Sequence, residues 1–324
     1  MKSTAQIKNQ KMLFKLSNNR YKIWLVSGLA ILVSLIGLIS SWLNPSIGFP
    51  LRPGLDFTGG TQIKLERQCE SVCSTVSTSA IEEKINLISF DVDKNSPSPN
   101  LSGSKVQFLD DSKSLLLRLP FLSAKQGKKV IEAMDPLVGP FETGGQSIDT
   151  IGPTLGSQLL KSSLISLFVA LIGIASYISI RFDKKFAVLA LIALSHDVII
   201  ICGIFSWLGI FINLEINSLF TVALLTIAGY SVNDTVVVFD RIREINKSEK
   251  ELSNNEKVDL AVLATLTRTL YTSGTTLLPL LALIFWGGST LYWFAITLTL
   301  GVVIGSWSSI AFAPSLLSLR KDKF

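Results

Sequence analysis

Charge is scarce in this chain: Asp, Glu, Lys and Arg make up 17% of its 324 residues, where about 25% is ordinary for a soluble domain. Histidine occurs once, at position 196, and cysteine three times. So little charge argues against a surface that is solvated all round. So few histidines and cysteines leave no metal-ligand spacing, and no nucleophile, base and orienting group lie together. No phosphate loop is present either. An enzyme is therefore the least supported class, and no cofactor or metal is expected.

Apolar residues take the place of charge: 48% of the chain is hydrophobic and the mean hydropathy is +0.47. A bilayer core about 30 Å thick needs roughly 20 apolar residues of helix. Six runs qualify: Ile23 to Leu43, Leu159 to Ile180, Phe186 to Ile210, Asn217 to Phe239, Thr265 to Trp286 with Pro279 inside it, and Leu291 to Leu317 with Pro314 near its end. The first is longer than a signal-peptide core and lacks a small-x-small cleavage site after it, so it reads as a retained anchor.

Positive residues near helix ends stay cytoplasmic. Lys2, Lys8, Lys11, Lys15, Arg20 and Lys22 precede the first run without an acidic residue among them. Arg181, Lys184 and Lys185 follow the second, and Arg241, Arg243, Lys247, Lys250, Lys257 and Arg268 follow the fourth. Arg320, Lys321 and Lys323 close the chain. In a six-pass bundle all of these fall on one side. Both termini are expected in the cytoplasm, at residues 1–22 and 318–324. The segment 44–158, with eleven basic and thirteen acidic residues, is expected outside. The net charge of +6 then follows from topology, and no nucleic-acid partner is needed.

The outside segment reads as alternating strands and helices. Thr61 to Glu66 alternates as a strand does, and Thr75 to Ile88 carries apolar residues at helical spacing. After a loop at Asn95 to Ser104 come two strands, Lys105 to Leu109 and Ser114 to Leu119, joined at Asp110 to Lys113 as a hairpin. Ser123 caps a helix that reaches Met134 and is ended by Pro136 and Gly139, and Phe141 to Ile151 supplies a last strand. The order β-α-β-β-α-β is the ferredoxin-like α+β pattern. Cys69 and Cys73 are spaced for a local disulfide, and two free thiols are equally open. Gly59-Gly60 and Gly144-Gly145 read as turn or close-approach glycines. Cys202 reads as core packing.

Ionisable side chains inside the hydrocarbon cost about 2.5 to 3.5 kcal/mol each on insertion scales, so each needs a partner, a water cavity or a task. Asp234 lies roughly 25 Å along the fourth run, in its cytoplasmic third, with Thr226 and Tyr230 on its face. Arg268 lies near the cytoplasmic end of the fifth, along a stripe with Tyr271, Thr272, Thr275 and Pro279, at a depth that permits a pair with Asp234. Burial favours the neutral form of a carboxyl group and a nearby guanidinium favours the charged one, so a small change in their separation would load or release a proton. His196 and Asp197 lie near the middle of the third run, about 100° apart around the helix, and are not expected to face one neighbour. For all four residues a second role stays open, pairing between helices to fix the packing. Gly229, Ser231 and Gly274 are expected to let helices approach closely.

Several of these residues sit in longer patterns. Gly54-Leu55-Asp56-Phe57-Thr58-Gly59-Gly60-Thr61, Ile151-Gly152-Pro153-Thr154 and Ser195-His196-Asp197-Val198 occur in order. They are followed by Gly229 to Glu244, which holds Asn233, Asp234, Asp240 and Arg241, and by Arg268 to Leu278. Together these resemble the SecF branch of the SecD/SecF family of protein-export membrane proteins. The resemblance implies an RND-type six-helix bundle paired with SecD beside the SecYEG channel in the bacterial inner membrane, among lipid. It implies indirect work with SecA on an unfolded translocating polypeptide. It also implies use of the proton motive force, with Asp234 and Arg268 at positions of proton passage. A passive structural subunit is the rival reading. A small-molecule exporter of the RND type is expected to need two bundles in one longer chain.

Overall fold

The computed structural model describes residues 16–69, 73, 76–90, 99–102, 104–109 and 112–317. The basic positions Lys2, Lys8, Lys11, Lys15, Arg320, Lys321 and Lys323, half of the expected loop at Asn95 to Ser104, and Asp110 and Asp111 lie outside these. In chain order the elements are α1 (Arg20–Leu43), preceded by a 3-10 turn at Ser17–Asn19, then α2 (Leu55–Thr58), β1 (Gly60–Arg67), α3 (Thr78–Asn86), β2 (Lys105–Leu109), β3 (Ser114–Leu119), α4 (Ala124–Val138) and β4 (Phe141–Ile151). There follow α5 (Pro153–Arg181), α6 (Lys184–Phe211), α7 (Ser218–Ser248), α8 (Asn254–Trp286), α9 (Gly288–Trp307), a π-helical turn at Ser308–Phe312 and α10 (Ala313–Leu317). Contacts divide the chain into residues 1–52 with 163–324, and residues 53–162.

In the smaller unit the four strands form one antiparallel sheet in the order β2-β3-β1-β4. With α3 and α4 as crossovers this is the ferredoxin-like order. Alternation in β1 puts Ile63 and Leu65 into the core with Leu115 and Leu117 of β3, Ile81 and Ile85 of α3, and Val130 and Met134 of α4. The capping box of Ser123 and Gln126 starts α4 as its sequence requires. Pro136 does not stop α4, which runs on to Val138 before Gly139 ends it. A proline in the last turn removes one amide donor while the preceding turns stay intact. The helix expected from Thr75 to Ile88 is shorter, Thr78 to Asn86. Cys69 and Cys73 are joined by a disulfide with Cα atoms 5.3 Å apart. Arg67 is buried beside it, donating through Nε to the Val138 carbonyl at 2.8 Å and through Nη1 to that of Ser112 at 3.0 Å.

Among the described residues six helices are long and apolar enough to cross a membrane: Ser17–Leu43, Pro153–Arg181, Lys184–Phe211, Ser218–Ser248, Asn254–Trp286 and Thr290–Leu317. The chain is thus a multi-pass membrane protein. The fifth span begins well before its apolar run because Ser253 and Glu256 form a capping box there. Its first turns also pack on the end of α7, where the buried Lys257 donates to Asn246 Oδ1 at 2.7 Å.

Close helix approach falls on glycines other than those expected. A Cβ at Gly229 or Gly274 would meet nothing within 4 Å. At Gly203 it would lie 2.1 Å from Ser34 Cβ, and at Gly301 2.2 Å from Ile227 Cγ1. The α1–α6 and α7–α9 seams therefore require glycine. Gly203→Ala is expected to lower stability by about 1 to 3 kcal/mol through overpacking, read as a lower aggregation temperature of the purified chain in detergent. An unchanged temperature would show that the seam yields.

Candidate functional site: a polar layer inside the helix bundle

Near its middle the third span carries two adjacent ionisable residues, and both are buried. His196 Nδ1 lies 2.8 Å from Asp197 Oδ1. Asp197 Oδ2 accepts from Ser231 Oγ of α7 at 2.5 Å and from Ser308 Oγ of the π-helical turn at 2.6 Å. One carboxylate thus joins three spans. The His196 ring stacks on Phe312 with centroids 4.3 Å apart. Both residues therefore touch the last span, against the expectation that adjacent positions face different neighbours. The physical reason is the partner's geometry: Ser308 and Phe312 bound a widened turn, one meeting the carboxylate and the other the face of the imidazole ring.

Hydroxyls extend the layer. Thr235 Oγ1 lies 2.9 Å from Ser309 Oγ, which also reaches the Ser231 carbonyl at 3.3 Å. Tyr230 donates to Ser273 Oγ at 3.2 Å, and Ser273 Oγ lies 2.6 Å from Ser306 Oγ, linking α7, α8 and α9. Apart from Ser231, noted as a small packing residue, and Tyr230, these groups were not foreseen. Their only trace in the sequence is serine and threonine recurring three and four residues apart in apolar runs.

Asp234 sits in the same layer but is bonded differently. It is 3% exposed and its Oδ2 finds no hydrogen-bond partner among the described residues. Arg268 acts on it electrostatically. Yet no ion pair within 4 Å joins the two among the described residues, and Arg268 is exposed on the surface of the bundle. The expected pair is thus a separated one. A helix face places a long side chain beside a neighbour but leaves its rotamer to whatever else is packed there.

That face is unusual for a membrane protein. Along α7 it exposes Thr226, Gly229 and Asn233, and along α8 Thr267, Arg268, Tyr271, Gly274 and Thr275. Polar side chains and bare backbone at these depths are expensive against lipid alone.

The remaining motif residues have structural partners. Gly54 is the extended residue before α2, and Asp56 lies in its first turn. Gly59 and Gly60 adopt φ of +67° and +116°, and a Cβ would lie 2.9 Å from Pro153 Cα at Gly59 and 2.7 Å from the Leu119 carbonyl oxygen at Gly60. They are turn and close-approach glycines. Asp240 Oδ2 accepts from Arg181 Nη2 at 2.6 Å, its Oδ1 lies 3.6 Å from Arg243, and Arg241 pairs with Glu244. At the other end of the bundle Arg52 donates to Asn213 Oδ1 and lies 3.7 Å from Glu215 Oε1, and burial draws its guanidinium below the ordinary value.

Known proteins share this arrangement of spans. Residues 132–323 match the family described as protein export membrane protein SecD/SecF, C-terminal, and residues 46–70 match the SecD/SecF GG motif. The chain is 62% identical to the protein translocase subunit SecF of Prochlorococcus marinus, over 99% of this chain and 100% of that one. It is 39% identical to that of a Synechocystis strain, over 90% of each. A crystal structure of SecDF from Thermus thermophilus, a translocon-associated membrane protein, superimposes with a TM-score of 0.73 at 30% identity. That match covers 94% of this chain and 38% of the SecDF chain. The glycine motif, the sheet and all six spans lie within these matches, and the chain belongs to the SecD/SecF family of protein-export membrane proteins.

Proposed function

We propose that the chain is the SecF subunit of the protein-export machinery and that, with SecD, it uses the proton motive force to promote translocation of unfolded polypeptides through and out of the SecYEG channel. SecA acts on the same polypeptide and so meets this chain indirectly. The observation that carries the reading is Asp234: a carboxyl group buried inside the bundle with one oxygen unbonded, under the field of a nearby exposed arginine. A permanently ionised structural carboxylate would have that oxygen satisfied. A group that alternately takes and releases a proton needs one oxygen free for it.

In this reading Asp234 and Arg268 lie on the proton path. His196 and Asp197 are the less supported members, because both Asp197 oxygens are occupied and this favours their other role of fixing the packing. The polar face of α7 and α8 supports a second bundle, that of SecD, covering Asp234 and Arg268 from outside. Orientation follows the positive residues: inner membrane, both termini cytoplasmic, and residues 44–158 on the far side.

The test is translocation of a secreted protein in vesicles carrying the whole complex, with and without an uncoupler. Removal of this chain should abolish the uncoupler-sensitive part. Translocation that stays uncoupler-sensitive without it would defeat the reading. For the interface, cysteines placed at Gly229 or Gly274 are expected to crosslink to SecD, while a cysteine at the lipid-facing Phe168 is not. Equal crosslinking from all three positions would count against the assigned face.

A further inference from the structure

We propose that α6 is straddled by one anionic diacyl phospholipid, with an acyl chain in the cleft on each side of the helix and the headgroup on Lys184 and Lys185. The cleft between α5 and α6 has a volume of about 470 Å³, with Ile172 and Ala175 on its α5 wall. The cleft between α1 and α6 has a volume of about 360 Å³, with Ile31 on its α1 wall. Leu191, Ser195 and Ile199 of α6 line both, so they form a ridge with an apolar furrow on either side. Two furrows flanking one ridge match the two chains of a diacyl lipid.

Charge lies at one end of that ridge. Lys184 stands seven residues before Leu191 and so lies on the same face of α6. Ile199 is about 22 Å from Lys184 at 1.5 Å per residue, which is half of the roughly 40 to 45 Å that a bilayer measures with its headgroups. A lipid of one leaflet therefore spans the clefts and reaches the lysines. Lys184 and Lys185 are exposed, and neither makes an ion pair among the described residues. Asp183 is exposed beside them and offsets one of the two charges. Asp240 does not, because it is already shared by Arg181 at 2.6 Å and Arg243 at 3.6 Å. Basic side chains at the mouth of an apolar cleft between spans select a lipid with a net negative headgroup. A choline headgroup would bring a cation of its own to the lysines. The argument uses charge and depth alone and is independent of the proton path.

The test uses the full chain, purified in detergent, stripped of lipid and mixed with equal amounts of dioleoyl phosphatidylglycerol and dioleoyl phosphatidylcholine. Native mass spectrometry is expected to show one retained phosphatidylglycerol, preferred on the order of 30-fold, the contribution of two lysines near an anionic surface. Replacing both lysines, Lys184→Gln with Lys185→Gln, should bring the two lipids to equal retention. Ser195→Trp fills both clefts from the exposed ridge and should release the lipid with the lysines intact. Ile172→Trp blocks the α5–α6 cleft from an exposed position on the other helix, so the prediction stands on a second variant if Ser195→Trp does not fold. Lysophosphatidylglycerol, with the same headgroup and one chain, should be held more weakly. The proposal fails if the native chain retains phosphatidylcholine equally, if the lysine variant keeps the preference, or if the tryptophan variants retain the lipid as the native chain does. It also fails if the single-chain lipid binds as tightly, or if the spectra show a dimer that Ser195→Trp breaks, since a second copy of this chain would then cover the face.

Discussion

Asp234→Asn removes the whole of the uncoupler-sensitive translocation while leaving the protein folded, inserted and bound to its partner. The amide matches the carboxyl group in size and exchanges one oxygen for an NH2 group, and the Oδ2 position has no hydrogen-bond partner to lose. Packing is therefore preserved, and what disappears is the ability to carry a proton. The part of translocation that does not depend on the proton motive force should continue at its native rate and no longer respond to an uncoupler. Arg268→Met should give the same outcome by a different route. It removes the positive charge that acts on Asp234, and with it the means of driving the proton on and off the carboxyl group. The measurement is the translocated fraction in inverted vesicles with a proton gradient imposed or collapsed. Native force dependence in Asp234→Asn would mean that this charge only holds helices together and that the proton path lies elsewhere.

Asp197→Ala is expected to have the largest effect on stability. Three groups converge on this carboxylate, from His196, Ser231 and Ser308, and alanine removes it from all three, with only Ser308 keeping another acceptor, the Gly305 carbonyl. Interhelical hydrogen bonds in membranes average about 0.6 kcal/mol each, which gives a floor of about 1 kcal/mol for the two made by Ser231 and Ser308. A donor left unsatisfied in a buried site costs about 1 to 3 kcal/mol, so the true loss lies above that floor. Asp197→Asn keeps an acceptor and the shape, and should lose less. Thermal unfolding of the purified chain in detergent separates the cases: Asp197→Ala well below native, Asp197→Asn between, Asp234→Asn close to native. If Asp197→Ala melted with the native chain, the carboxylate would not be the joint between the third, fourth and sixth spans.

The two aspartates show why similar charges in one bundle behave differently. Asp197 is enclosed by hydroxyls from two other spans, and its bonds are made within this chain. Asp234 lies next to a face on which Asn233 and Gly229 of α7 and Arg268 and Gly274 of α8 are exposed. Under the proposed function, a second bundle completes its surroundings.

Six spans and a sheet unit of βαββαβ order were legible in the sequence, because lipid and water act on each segment by itself. Long apolar runs have few alternatives in a membrane. The alternation of Ile63 and Leu65, the Ser123 capping box and the glycines before Thr61 are likewise local rules. Asp234, Arg268, His196 and Asp197 stood out for the same reason, as costly charges in apolar runs. What only the tertiary structure decided was partnership. It bonded His196 to Asp197 and set both against the last span, and it kept Arg268 apart from Asp234. It also packed Gly203 and Gly301 while leaving Gly229 and Gly274 open, and it closed Cys69 onto Cys73. A hydrogen bond between spans needs a donor and an acceptor atom within about 3 Å of each other, and helix crossings distant in the chain set that separation. No window of sequence around either residue contains it.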